Sequence, residues 1–365
     1  MGNKKINSLQ LFCLIVLFDL GTALVVNLGA SAKQDAWLAI LLSAIPGVLL
    51  LLVYGSLHKL YPNLPLTGYA REIVGKWIGT LLGLIFIMDF FHLAARDLRD
   101  YGDLLSTTIF DKTPLFIIHV MMILTMIYIL YLGIEVLGRM AEIYLVMMFF
   151  LGFLGIISVL LSGKINISHL FPVLEYGWKP VIITAFPYLF SFPWTEMLSF
   201  TLVFPYLNNS GSVKKVGISA ILFSAIILSL TAILNISVLS VDGFTRSNFP
   251  LFETIRRVRL MEFIERLDPI VLLTLIIGNF FKVIIFFYAT VICISDLFRI
   301  KNHKNLIFPI GIIILLASLT VSGSFSEHIK IGQKLLPPYI HVPVSAVVPL
   351  LLLIVALIRR YFGSR

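Results

Sequence analysis

The sequence predicts an all-α polytopic membrane protein with ten transmembrane helices, and three observations carry that prediction. Hydrophobic residues make up 59% of the 365, and charged residues 13%; a soluble domain carries about 25% charged residues. The apolar residues gather in runs of roughly 20, the length that crosses about 30 Å of hydrocarbon. The basic residues fall in the short connections between runs, where the positive-inside rule places them.

In chain order the runs lie near 8–29, 36–57, 77–105, 114–133, 141–162, 180–206, 216–240, 269–297, 305–323 and 343–358. The first has Lys4 and Lys5 before it and no small-residue cleavage pattern after it, so it reads as a retained span. Ten spans put both termini on one side. That side receives Lys4, Lys5, Lys59, Arg71, Lys76, Arg139, Lys214, Lys215, Arg299, Lys301, Lys304, Arg359, Arg360 and Arg365. The opposite short loops receive Lys33, Lys112, Lys164, Lys179, Lys330 and Lys334. The bias predicts that both termini are cytoplasmic. Residues 241–268 oppose it, with Arg246, Arg256, Arg257, Arg259 and Arg266 outside. Their FPLFETIRRVRLMEFIERLD pattern predicts an amphipathic helix lying over the outer mouth. Trp37, Trp77, Tyr131 and Trp178 sit near span ends, as an aromatic belt requires.

The same residues exclude several classes. The formal charge of +9 is spread over loops and marks no nucleic-acid surface. Cys13 and Cys293 both lie in apolar runs, which suits neither a disulfide nor a metal site. The seven histidines show no ligand spacing. No phosphate loop or nucleophile elbow is present, so the sequence predicts no enzyme and no cofactor.

Two spans carry interruptions. LFDLGTA, residues 17–23, lies near the middle of span 1, and LFSFPWT, residues 189–195, near the middle of span 6. Gly21 falls opposite Pro193 when the two are laid together. Proline removes a backbone donor and clashes with the preceding turn, and glycine lowers the cost of unwinding by about 1 kcal/mol relative to alanine. Interrupted helices at matching places in two halves point to a transporter-type binding site. Glycine and proline also serve membrane helices as packing points and kinks, and the residues alone fit that reading too.

Asp19 and Glu196 flank the interruptions, and Lys282 lies deep in span 8. A charge at the bilayer centre costs roughly 2.5–3.5 kcal/mol on insertion scales, so it faces a cavity or a partner. Lys282 can hold a carboxylate, act as a fixed charge in place of a sodium ion, or form a structural ion pair with Asp19, Glu196 or Asp89. In span 3, RDLRDYGD sets Arg96 four residues from Asp100, and Arg99 four from Asp103. Counted from Trp77, Arg96 lies nearly 30 Å along the helix, close to the outer boundary, which predicts a wet vestibule lining or an outer-leaflet anchor and not a buried relay. Glu135, Arg139 and Glu142 read as an interfacial cluster between spans 4 and 5.

The ordered set of LGTALVVNL, QDAWLAILLS, HKLYPNLPLTGYAREIVGKWIG, DKTP, FPWTEML and FFKVIIFFYATVICISDLF resembles the spore germination permease family. These are the B subunits of nutrient germinant receptors, within the amino acid–polyamine–organocation superfamily. The resemblance runs over essentially the whole chain. It implies a single transmembrane domain of two inverted five-helix repeats, about 6–163 and 177–362, in the leucine-transporter-type fold with helices 1 and 6 broken. It implies a spore inner-membrane complex with an A-type and a lipoprotein C-type subunit, triggered by a small nutrient bound between the broken helices. The ligand-binding positions would be Leu20, Gly21, Thr22, Ala23, Leu93, Phe192, Pro193 and Thr195, with Asp19, Glu196 and Lys282 coupling charge or ions. Glu196 matches the family glutamate, whereas Asp19 has no counterpart. Asn27 stands where the family often has a proline, and Ala23 replaces a frequent glycine. A proton-coupled amino-acid transporter would use the same site.

Overall fold

The computed structural model describes residues 5–257, 268–321, 331–332 and 336–363. Among them, nine helices are long and apolar enough to cross a membrane, and the shorter apolar helix Lys304–Thr320 completes ten. In order they are span 1 Ser8–Val25, span 2 Ala36–Leu60, span 3 Lys76–Thr108, span 4 Leu115–Leu132 and span 5 Ile134–Leu161. Span 6 Trp178–Leu202, span 7 Val213–Arg246, span 8 Asp268–Leu297, span 9 Lys304–Thr320 and span 10 Pro337–Phe362 follow. Most start within three residues of the sequence-predicted run, because the long apolar runs fix the elements, while spans 5 and 10 start earlier than predicted, at Ile134 and Pro337.

Local chemistry sets the ends. Asn7 and Gln10 form a reciprocal capping box at the start of span 1, with Asn7 Oδ1 accepting from Gln10 N at 2.8 Å. An amphipathic helix, Leu66–Val74, lies between spans 2 and 3. Gly75 (φ +89°) breaks it from span 3, and Gly133 (φ +103°) breaks span 4 from span 5. Both are left-handed-side conformations that a side chain disfavours.

Packing follows the duplication. Span 2 packs on span 7, span 3 on span 8 and span 4 on span 9, so corresponding members of the halves pair. Span 1 packs against spans 5, 7 and 8. It is the most enclosed span, 83% buried, against 28% for span 5 at the periphery. Ile6 pairs with the segment just after span 6: its N–H donates to Tyr206 O at 2.9 Å and its carbonyl accepts from Asn208 N at 3.0 Å. The entry of span 1 therefore lies beside the exit of span 6, and the two run antiparallel, as inverted repeats require.

The expected helix over the 241–268 loop is present as Pro250–Arg256, with Phe252 and Ile255 buried. The rest of that segment, with Arg259 and Arg266, lies outside the described residues, as do Lys4, Lys330, Lys334 and Arg365. Trp77 and Trp178, at the starts of spans 3 and 6, are exposed.

Candidate functional site

Both interruptions are real but unequal. In span 1 the departure is confined to Gly21 (φ −36°, ψ −107°), a kink in a helix that otherwise runs to Val25. In span 6 two residues are extended, Phe186 (φ −137°, ψ 129°) and Phe192 (φ −127°, ψ 115°), each followed by proline. π-type turns over Thr184–Trp194 give way to 3₁₀ turns over Thr195–Leu202. The second interruption is the wider because Pro187 and Pro193 each remove a helical donor.

Between the two lies a cavity of about 60 Å³, room for a few water-sized groups. Thr22 of span 1 and Val26 just past its end line it, with Leu93, Arg96, Asp97 and Asp100 from span 3, and Tyr188, Ser191, Phe192 and Glu196 from span 6. Gly332, Pro337 and His341 close the remaining side. The span 3 residues stand at i, i+3, i+4 and i+7, one stripe of a helix. Thr22 Oγ1 donates to Asp97 Oδ1 at 2.9 Å, tying span 1 to span 3 just past the kink. Asn279 Nδ2 donates to the Asp97 carbonyl at 3.2 Å from span 8.

Behind the cavity, Lys282 Nζ lies 2.6 Å from Glu196 Oε2, and the lysine is fully buried. The same ammonium sits 4.0 Å from the Phe192 ring centroid and 5.4 Å from that of Phe18. It is thus held by a carboxylate and by aromatic faces. Asp19 is fully buried within electrostatic reach of Lys282 and Glu196, with Ser224 beside it. Of the three partners the sequence allowed Lys282, the structure selects Glu196.

Of the sequence-predicted positions, Thr22, Leu93, Phe192 and Glu196 come together on the cavity wall, with Lys282 directly behind. Leu20 faces a separate apolar cavity with Leu24 and Met148. Gly21 faces span 8, where a Cβ would come 2.9 Å from the Gly278 carbonyl oxygen. Ala23 and Pro193 are buried without lining the cavity. Thr195 turns inward: its Oγ1 donates to Ser191 O at 2.8 Å and its carbonyl lies 3.2 Å from Tyr54 OH.

RDLRDYGD does not form the expected outer vestibule. Arg96, Asp97 and Asp100 are buried and line the central cavity. Counting from Trp77 misplaced them because span 3 is 33 residues, about 50 Å of helix, and overshoots a 30 Å hydrocarbon layer. Arg99 and Asp103 form the expected i,i+4 pair, at 2.9 Å. Asp97, Ser191 and His341 were not singled out in the sequence. For Asp97 a signal was available, since it stands four residues after Leu93 on the same face.

Comparison with known proteins decides the family. The chain matches the spore germination protein family over residues 5–326. It belongs to that family. It is 39% identical over 360 residues to spore germination protein KB of Bacillus subtilis (strain 168), covering 99% of this chain and 96% of that one. Spore germination protein YndE of the same organism is 25% identical, over 98% of both chains. Among solved structures, that of MhsT in complex with L-phenylalanine superposes with a TM-score of 0.65 at 13% identity, covering 97% of this chain and 89% of that one. That likeness shows the leucine-transporter-type fold. The spore germination protein described here is therefore a multi-pass integral membrane protein of a permease family.

Proposed function

We propose that this spore germination protein is the germinant-sensing membrane subunit of a spore nutrient receptor. It binds a small nutrient, an amino acid, between broken spans 1 and 6, and the bound state triggers germination. It works in the spore inner membrane with an A-type and a lipoprotein C-type subunit, both termini facing the cytoplasm. The observation that carries the reading is the cavity itself. It has walls from both interrupted spans and presents groups of both signs, Arg96 against Asp100 and Glu196, in a buried place. A zwitterion needs both signs, and charges taken out of water require partners. Thr22 and Leu93 bound the space available to a side chain. A nutrient that favours one arrangement of the interrupted spans biases the equilibrium by its differential affinity for the two states. Germination of a deletion strain, and of the same strain complemented with this chain, is measured against single nutrients. Restoration of a response to one amino acid supports the reading, and no restored response to any counts against it.

The second reading, a proton-coupled amino-acid transporter, is favoured by the buried Lys282–Glu196 pair with Asp19 near it. Uptake of labelled amino acid by the purified protein in vesicles would select transport.

A further inference from the structure

His341 and Asp89 form a buried pair that neither interruption accounts for. His341 Nδ1 lies 3.2 Å from Asp89 Oδ1, joining span 10 to span 3. Asp89 Oδ2 accepts from Ser345 Oγ at 3.3 Å. The Ser345 carbonyl in turn accepts a short hydrogen bond from Tyr54 OH of span 2. All four side chains are more than nine-tenths buried. The two members of the pair face different places. His341 lines the central cavity, together with Thr22 and Arg96. Asp89 lines a lateral apolar groove of about 400 Å³ with Met88, Ile340 and Val344.

Both Asp89 oxygens face groups able to donate, so Asp89 is an acceptor and His341 Nδ1 carries the donated proton. In a neutral imidazole a protonated Nδ1 leaves Nε2 as an acceptor. Nε2 is then the ring's remaining polar atom, on a residue that lines the cavity. Arg96 is a donor, Asp97 Oδ1 accepts from Thr22, and Glu196 Oε2 is ion-paired with Lys282. From these contacts we infer that His341 is a specificity-determining ligand contact. Its Nε2 accepts a hydrogen bond from an ammonium or hydroxyl group of the nutrient, and Asp89 is the positioning residue that fixes its tautomer. This rests on the reading that the cavity binds a nutrient.

The test uses spores in which this chain is the sole B-type subunit, germinated with each of the twenty L-amino acids and D-glucose singly. His341→Gln, His341→Phe, Asp89→Asn and the Asp89→Asn/His341→Gln double variant are compared with the parent at matched protein level. His341→Phe is expected to abolish the response. His341→Gln and Asp89→Asn should each raise the half-saturating concentration about tenfold, the worth of one hydrogen bond to a charged group. The double variant should be no worse than His341→Gln, because Asp89 acts only through the ring. An unchanged half-saturating concentration in His341→Phe overturns the inference, as does additivity in the double variant. A purely structural role would lower the maximal rate and protein level and leave the half-saturating concentration in place. If the parent responds to none of the compounds, the nutrient reading fails separately. A His341→Cys variant in vesicles, probed with a methanethiosulfonate ethylammonium reagent, then decides the remaining claim. Cys13 and Cys293 are both buried and give little background. Labelling supports a cavity-facing ring, and no labelling overturns it.

Discussion

Lys282 Nζ of span 8 and Glu196 Oε2 of span 6 lie 2.6 Å apart in a place closed to solvent. The contact fixes the residue after the second interruption to a helix that also packs on the first. Removing one member leaves an uncompensated buried charge, worth about 3–5 kcal/mol. Lys282→Met or Glu196→Gln should therefore lower thermal stability of the purified protein strongly. A Lys282→Met/Glu196→Leu double variant should recover much of the loss. Single variants as stable as the parent would show that the pair carries no such weight.

Gly21 and Gly278 touch backbone to backbone. A Cβ on Gly278 would stand 3.0 Å from Gly21 Cα, and one on Gly21 would stand 3.0 Å from Lys282 Cβ. Gly21→Val should push span 1 off span 8 and cost about 1–3 kcal/mol, as overpacking does. Accumulation of the variant in the spore membrane, read by immunoblot, is expected to fall. Normal accumulation with a normal nutrient response would leave the close approach without consequence.

Gly332 covers the cavity over Arg96, where an added Cβ would come 2.3 Å from Nη2. Gly332→Val is expected to crowd the guanidinium and raise the half-saturating nutrient concentration by about tenfold, ~1.4 kcal/mol of affinity. Protein level should hold. Germination dose–response curves measure it, and an unshifted curve would remove Arg96 from ligand recognition.

Arg71 and Asp296 form the contrasting case. Their salt bridge is 2.7 Å long but partly exposed, at 23% and 22%. Such pairs contribute about 0–1 kcal/mol. Arg71→Ala should shift the melting temperature little, and less again in high salt, where exposed charges are screened. A drop matching that of Lys282→Met would mean that this end of the bundle is more tightly coupled to the core than its exposure suggests.

The spans were legible because twenty-residue apolar runs admit few other readings. The place of the second interruption was legible too, since Pro187 and Pro193 act through local covalent chemistry. Gly21 was found, but its role was not. Whether a glycine unwinds a helix or lets two helices touch depends on what lies opposite, and Gly278 is more than 250 residues away. The cavity wall on span 3 escaped for a related reason. Depth was counted along the helix from Trp77, and sequence does not say how far a long helix protrudes. His341 stayed invisible because one histidine in an apolar run has no periodic partner, and Asp89 meets it only through the fold.

The central claim is that a nutrient occupies the space between spans 1, 3 and 6. Equilibrium binding of the amino acid identified by the germination screen tests it most directly, using the purified receptor complex with the parent chain or with Leu93→Trp, which fills the cavity from span 3. Saturable binding to the parent that is lost in Leu93→Trp, at unchanged complex assembly, is the predicted result. Equal binding to both would place the nutrient elsewhere and contradict the account.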